Sequence, residues 1–281
     1  MATCRVFRWC LPSLLVLAAP LLAQDASFPR EHHPWGRFPP GSWKLVRTTS
    51  ETLDDKGRLL STTRTDTRTT LLAADATSYT LRSDITVEVA GRRIAMTPQT
   101  ARHGYYGEPA GKAVAVKLLG DEPVTIDGRA IDCEVRQIAV ETDSGKLTSK
   151  LYYTSAVAPF VLRRESSLAA PAAEKRNSSL VEVIALDLPK QVRGEIKPCM
   201  FVKTTQNLPQ GTRVTLEVQC DDVPGGVVSH NSSETDVAGR VVRRSTLEIL
   251  DHGLPVVMGK AVPLPRRPHR AKAAARRMEQ R

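Results

Sequence analysis

The sequence predicts an all-β protein of antiparallel meander repeats that form a curved sheet, a half-barrel or a sandwich. Apolar and polar residues alternate with a period of two along many short runs, as in strands with one solvated face. Turns that end in glycine separate several of these runs, and no amphipathic helix of three turns precedes the C-terminal tail. The 281 residues, of which 41% are hydrophobic, suffice for a substantial core and exclude a wholly disordered chain.

The first residues have the pattern of an export signal. Arg5 and Arg8 precede a 12-residue apolar stretch from Leu11 to Leu22. That stretch is shorter than the ~20 residues a membrane-spanning helix needs, and a plausible cleavage site follows before Gln24. An uncleaved signal anchor is the alternative. We therefore expect an extracytoplasmic protein, periplasmic or secreted, that is not transmembrane once residues 1–23 are removed.

The formal net charge of +10 is concentrated at the C-terminal end of the chain. Residues 266–281 hold seven Lys or Arg and one Glu. Such a segment is either a solvated, disordered tail or an attachment to an anionic surface. Predicted export and the lack of aromatic residues in the tail both argue against a nucleic-acid partner.

The elements follow from local patterns taken in order. Four prolines in residues 24–42 predict an extended N-terminal arm, and Thr77–Val89 places Tyr79, Leu81 and Ile85 on one strand face. Hairpin turns are predicted at Asp54–Gly57, Thr142–Gly145 and Asp236–Gly239. The predicted strands are 44–53, 58–72, 77–89, 113–118, 146–154, 159–167, 179–187, 199–206, 212–220, 226–233 and 240–250, and residues 97–122 separate the first part from the rest.

An internal repeat organises the second half of the chain. Residues 131–196 align with 197–262 without a gap, matching Cys133 with Cys199 and Gly145 with Gly211 among eleven identities in 66 positions. A unit of this size buries little surface alone, so neighbouring units should share a sheet or a core. The predicted divisions are a signal peptide (1–23), an arm (24–42), an N-terminal β module (43–130), two β repeats (131–196 and 197–262) and a basic disordered tail (263–281).

Three segments carry a resemblance to known sequences. GSWKLVRTTSETLDDKGRLLSTTRTDTRTTL, LYYTSAVAPFVLRRESS and VPGGVVSHNSSETDVAGRVVRRSTLEILDHG resemble segments of a group of uncharacterised secreted bacterial proteins. The resemblance covers most of residues 41–253, and its motifs are structural rather than catalytic. Hairpins that end in V-x-G-x-V or V-A-P-x-V are also distantly similar to periplasmic half-barrels that carry lipids or lipoproteins. That likeness of fold assigns no ligand.

Cysteine spacing leaves two alternatives open. Cys199 and Cys220 lie on consecutive predicted strands, and a two- or four-residue loop centred between Pro209 and Gln210 would place them opposite each other for a disulfide. A three-residue loop would shift the register by one and send the thiols to opposite faces. The alternative to the bridge is that Cys133, Cys199 and Cys220 are buried free thiols.

One polar and aromatic cluster stands out as a candidate site. His103, Tyr105, Tyr106 and Glu108 lie close together, either as a functional group or as a loop that packs its rings onto the sheet. The adjacent pair His32 and His33 has no further ligand at metal-binding spacing. Residues 107–113 lack both the spacing and the hydroxyl of a phosphate loop. No serine nucleophile elbow or zinc-protease motif is present either.

These observations favour a non-enzymatic binding or carrier module without catalytic residues, cofactor or metal. An apolar concave face of the predicted sheet would offer a site to lipid, peptide or an envelope component. Two alternatives remain. The first is a structural or cell-envelope-associated protein. The second is a hydrolase whose catalytic residues are dispersed in sequence and meet only in the fold.

Overall fold

The computed structural model describes residues 28–142, 145–169 and 177–255. The predicted signal peptide, the inner residues of the turn after Thr142, and the basic tail lie outside these ranges. No helix long and apolar enough to cross a membrane occurs in the described ranges. They contain one 3-10 turn, Arg30–His32, and the fourteen β-strands whose bounds follow.

The strands are long, and most are joined by tight turns. Their bounds are β1 Trp43–Leu53, β2 Leu59–Ala74, β3 Ser78–Val89, β4 Arg92–Ala95, β5 Gln99–Gly104, β6 Val114–Ile126, β7 Arg129–Thr142, β8 Gly145–Tyr153, β9 Val161–Ala169, β10 Asn177–Val192, β11 Glu195–Leu208, β12 Gly211–Gln219, β13 Val227–Asp236 and β14 Val241–Gly253.

All fourteen strands belong to one antiparallel sheet, which confirms the predicted all-β meander. The strand order is β4-β3-β2-β1-β14-β13-β12-β11-β10-β9-β8-β7-β6, and β5 pairs with β3 beside β4. The first and last strands are therefore neighbours in the interior of the sheet. The sheet stays open, because no pairing within the described ranges joins β6 to β4 or β5.

The 66-residue spacing of the sequence repeat recurs in the strand bounds. Strands β7 and β11 begin and end 66 residues apart, and so do β8 and β12. Strands β9 and β13 begin with the same offset, so the loops before them, residues 154–160 and 220–226, lie at the same end of the sheet. Whether the two units are separate domains stays a prediction, since their strands belong to one continuous sheet.

Several elements differ from the sequence prediction. Strand β7 was missing from the predicted runs, and β6 extends to Ile126 rather than ending at residue 118. A bulge between Leu118 and Gly120 lets β6 continue beyond the point where its alternation breaks. The segment predicted to separate the two halves, residues 97–122, supplies β5 and most of β6.

Two turns illustrate why the predicted hairpins form. The Asp54 carboxylate accepts hydrogen bonds from the backbone N–H groups of Lys56 and Arg58, at 2.9 and 2.8 Å. Asp236 makes the equivalent bonds to Ala238 and Arg240. The glycines of the two turns, Gly57 and Gly239, have φ of 76° and 79°, a region that a residue without Cβ enters freely. Both turn predictions are confirmed.

The two sides of the sheet have different environments. Lys44, Val46, Thr48 and Ser50 alternate along β1 and so lie on one side, together with their register partners on neighbouring strands. We call this side the arm face, because the N-terminal residues pack against it: the Lys44 ammonium lies 5.7 Å from the Trp35 ring centre. The opposite side, the outer face, is more exposed along β12, where Leu216 is 46% exposed.

The N-terminal arm is packed rather than extended. Phe28, Trp35 and Phe38 are buried, in one cluster with side chains of β2, β3, β8 and the loop after β5. The prediction of an extended arm is wrong for residues 30–37, which form the 3-10 turn and further turns. Burial of three aromatic rings explains this difference. An extended arm would leave the rings in water, whereas an arm that turns back on the sheet buries them and so stabilises the fold.

The arm rests on the two loops that the repeat makes equivalent. His32 stacks on Phe160 of the first loop, with ring centres 3.9 Å apart. In the second loop, the Gly225 N–H donates to the Pro34 carbonyl at 3.0 Å, and Arg37 forms an ion pair with Asp221 at 2.9 Å. The arm thus ties together β2, β3, β8 and both loops at one end of the sheet.

Candidate functional site

A row of hydroxyl groups crosses the arm face. Successive register partners on six adjacent strands are all serine or threonine: Thr63, Ser50, Ser245, Ser232, Thr215 and Thr204. Neighbouring strands lie ~4.8 Å apart, so the row extends over about 24 Å. These residues are far apart in sequence, and the sheet register alone brings them together.

A recess of about 360 Å³ opens over this row. We call it the polar recess; it lies on β1 and β11–β14, and five of the six hydroxyl residues line it. Its other walls are charged or amide side chains: Gln206, Arg213, Glu217, His230, Glu234, Arg243 and Arg244. The recess therefore presents hydrogen-bond donors and acceptors on every side, with no apolar side chain larger than the threonine methyl group among its lining residues.

An ion-pair group flanks the hydroxyl row on the side away from the arm. The Arg213 guanidinium donates from Nε and Nη2 to Glu234 Oε2, at 3.1 and 2.7 Å. Arg243 approaches the same oxygen at 4.0 Å. Because the Glu234 side chain is only 12% exposed and held by Arg213, it fixes that guanidinium at the wall of the recess.

His230, Ser245 and Glu217 are neighbours at the edge of the hydroxyl row that lies nearer the arm. His230 Nε2 lies 3.5 Å from Ser245 Oγ, at the limit of hydrogen bonding. Glu217 is the register partner of His230, yet its carboxylate accepts from Gln219 Nε2 at 3.1 Å. In the described part of the chain no hydrogen bond joins Glu217 to His230. Burial lowers the pKa of His230, and the nearby Glu217 charge opposes this shift.

A lysine lies between the recess and the arm. Lys44 Nζ is 3.4 Å from the carbonyl oxygens of both Gly225 and Val227. Burial lowers the pKa of Lys44 to about 8, and the Glu217 carboxylate partly offsets this shift. Its contacts are long and its ammonium is poorly hydrated, so this lysine costs stability while adding positive charge to the arm side of the recess.

A second recess, of about 510 Å³, lies between the end of β6 and strands β8–β10. Its walls include Ile126, Tyr152, Leu162 and Val183, which are buried members of one core cluster. The neighbouring Asp127 carboxylate accepts the Leu186 N–H at 3.2 Å. Because these groups already serve core packing and backbone hydrogen bonding, the polar recess is the better candidate site.

The predicted cluster at residues 103–108 lies at the arm end of the sheet. Tyr105 is buried, stacks on Tyr79 with ring centres 5.7 Å apart, and donates its hydroxyl to the Asp75 carbonyl at 2.6 Å. Glu108 accepts the Tyr106 N–H at 3.0 Å. The His103 ring centre lies 5.6 Å from that of Tyr79. The four predicted residues thus pack with the sheet and each other, away from the polar recess.

The two adjacent histidines point to different partners. His32 Nδ1 is 2.7 Å from the Tyr153 hydroxyl, whereas His33 Nδ1 accepts the N–H groups of Trp35 and Gly36 at 3.2 and 3.3 Å. Burial, with smaller contributions from Arg37 and His103, lowers the pKa of His33 to about 4. Among the residues that the structure describes, no group of three or more His, Cys, Asp or Glu could hold a metal ion.

The cysteine pair has the register that a two-residue loop requires. Leu208 pairs with Gly211 across Pro209 and Gln210, and extending this register places Cys199 opposite Cys220. Both thiols are buried and free, in a cluster separate from that of Cys133. Burial and the adjacent Cys220 thiol raise the pKa of Cys199 to about 12. The bridge itself stays a prediction.

Mild oxidation of the folded protein should therefore consume two thiols and leave Cys133 reduced. The new bridge should raise the free energy of unfolding by about 3 kcal/mol, since it closes a loop of moderate length. Thiol titration and the mass of the unreduced protein measure this. The Cys133→Ser variant should oxidise like the parent and Cys199→Ser should not; a bridged peptide containing Cys133 would contradict the prediction.

Comparison with known sequences and structures adds no functional assignment to the geometry described above. No protein-family model matches the sequence, and no curated protein is significantly similar to it. Two crystal structures show a weak similarity. One is a candidate lipoprotein from Parabacteroides distasonis (10% identity, 77% of this chain and 97% of the other, TM-score 0.33). The other is a candidate exported protein with a YmcC-like fold from Bacteroides fragilis (10%, 76% and 98%, TM-score 0.29). No functional conclusion follows from similarities at this level.

Proposed function

We propose that this chain is an exported, non-enzymatic binding module whose polar recess holds a polar ligand rich in hydroxyl, carbonyl or amide groups. The observation that carries the proposal is the hydroxyl row, because five of its six residues form the floor of the recess. Export is supported by the leader pattern of residues 1–23.

The lining of the recess favours a polar ligand over a lipid chain. A lipid carrier needs an apolar cavity, because an acyl chain cannot satisfy the hydrogen-bonding groups it displaces from water. Here Ser232 and Thr215 hydroxyls bond to each other at 2.9 Å, and Arg213 is held in place by Glu234. Such fixed donors and acceptors lose little conformational entropy when a polar ligand replaces the water between them.

The geometry gives weaker support to hydrolysis. The serine–histidine contact is long, and the carboxylate that would orient the histidine bonds to Gln219 instead. Ser245 also lies within β14 and is paired on both sides, with Ser50 and Ser232. Its neighbouring backbone N–H groups therefore serve the sheet and are not free to stabilise an oxyanion.

Native mass spectrometry of residues 24–281, purified from the protein's own host, tests the proposal. We expect a bound polar molecule that the double variant Thr215→Val with Ser232→Ala releases. Removing both hydroxyls of a bonded pair leaves neither unpartnered, so the fold should persist. The matched control, Thr246→Val with Ser233→Ala, removes two hydroxyls from the outer face and should retain the molecule.

Three outcomes would overturn the proposal. The first is a bound phospholipid that both double variants retain equally. The second is the absence of any bound molecule in the parent protein under native conditions. The third is covalent labelling of Ser245 by a fluorophosphonate probe, which would show an activated serine and favour a hydrolase.

A further inference from the structure

Two neighbouring hairpin tips share one rigid design. The turn of residues 54–58 joins β1 to β2, and the turn of residues 236–240 joins β13 to β14. In each, one oxygen of the leading aspartate accepts two backbone N–H groups, and the other accepts the arginine four residues later, at 2.8 Å. Since β1 and β14 are paired, the tips lie two strands apart, about 10 Å.

These tips hold apolar side chains in water. Val237 is 83% exposed, Leu60 is 65% exposed and Leu59 is 57% exposed. The tips lie at the end of the sheet opposite the packed arm, so nothing in the described ranges covers them. Rigid turns that expose large apolar residues lose little conformational entropy when another surface covers them.

Positive charge surrounds the exposed apolar residues. Residues 54–60 and 236–244 together hold five Lys or Arg and three Asp. Two of the aspartates are engaged by Arg58 and Arg240, which leaves Asp55 as the remaining acidic group. Among the residues that the structure describes, Lys56 and Arg244 form no ion pair, although Glu51 is the register partner of Arg244 on the paired strand. The tips thus combine exposed apolar side chains with unpaired cations.

We infer that the two hairpin tips dock on an anionic lipid surface. Apolar side chains would enter the boundary between headgroups and acyl chains, while Lys56 and Arg244 would meet lipid phosphates. The combination favours a membrane over an anionic polysaccharide, which offers charge but no apolar layer. This inference does not depend on the proposed function, because it names a different partner and shares only one side chain, Arg244, with the lining of the polar recess.

Co-sedimentation of residues 24–281 with vesicles tests the inference. We use vesicles of phosphatidylcholine alone and of phosphatidylcholine mixed with phosphatidylglycerol. The parent should bind the mixed vesicles, and Leu60→Ser with Val237→Ser should weaken that binding about tenfold. The matched control, Leu216→Ser with Val214→Ser, removes one exposed leucine and one exposed valine from the outer face of β12 and should bind like the parent.

Several results would overturn the inference. Equal binding by the parent and the tip variant would assign vesicle attraction to the basic tail, residues 266–281. An equal loss in the β12 control would show a general effect of surface hydrophobicity. Binding to soluble heparin with none to mixed vesicles would identify a polyanion site. Circular dichroism of each variant confirms that it is folded, so that a loss of binding reports on the tips.

Discussion

Replacing Gly225 with alanine is expected to lower the free energy of unfolding by about 3 kcal/mol. Gly225 has φ of 74°, and a Cβ atom there would lie 2.6 Å from the Trp35 ring. Trp35 is buried in the arm cluster and cannot move aside without losing its packing. The substitution therefore combines backbone strain with displacement of the arm. Urea unfolding followed by circular dichroism measures the change.

The chain provides a matched control for the backbone contribution. Gly239 has φ of 79°, close to that of Gly225, but no atom lies within 4 Å of the position of its Cβ. Gly239→Ala should therefore cost only the strain of the left-handed conformation, about 1 kcal/mol. Tryptophan fluorescence should shift to longer wavelength in Gly225→Ala alone. Equal losses of stability in the two variants would show that arm packing contributes nothing.

Acidification from pH 6.5 to pH 4 should lower stability by up to about 3 kcal/mol through His33. The unfolded chain binds a proton at this side chain below its ordinary pKa of 6.5, whereas burial keeps the folded imidazole neutral until about 4. Between those values the unfolded state holds more protons, so stability falls as the pH falls. Protonation of Nδ1 would also break the two bonds from Trp35 and Gly36.

The variant His33→Asn isolates this contribution, because asparagine Oδ1 is bonded to Cγ as histidine Nδ1 is and can accept the same hydrogen bonds without titrating. Unfolding free energies at pH 4.5 and pH 7 should differ less in the variant than in the parent. His230 and His252 also have pKa values lowered by burial, and they contribute equally to the pH dependence of stability in both proteins. Asp54, Asp66 and Asp236 have lowered pKa values, and their effect on the pH dependence of stability is the same in both proteins. Identical pH dependence in parent and variant would contradict the prediction.

The local sequence pattern was sufficient to predict most of the strands but not the packing of the arm. The alternation predicted for Thr77–Val89 is found in β3, because Tyr79 on one face of that strand packs into the buried cluster that contains Leu71. Residues 24–42 have no such period, and their prolines suggested an extended segment. The sequence signal that could have indicated a packed arm was the presence of Phe28, Trp35 and Phe38, since three large aromatic residues rarely remain in water.

The polar recess could not be found from the sequence. Ser50 and Ser232 are almost two hundred residues apart, and each is an ordinary strand residue in its own run. They become neighbours of Ser245 only because β14 inserts between β1 and β13. By contrast, the register that faces Cys199 with Cys220 was one of two alternatives that the sequence left open, because only the length of the loop around Pro209 and Gln210 distinguishes them.

The pairing of β1 with β14 has a consequence for the order of events in the cell. Trp43 and Gly253 are partners, so the central seam of the sheet can form only after nearly the whole chain has left the ribosome. Contacts of such high sequence separation make folding slow. A nascent chain that completes its fold this late remains unfolded for longer, which is compatible with the export proposed above, since a narrow translocation channel admits only an unfolded chain.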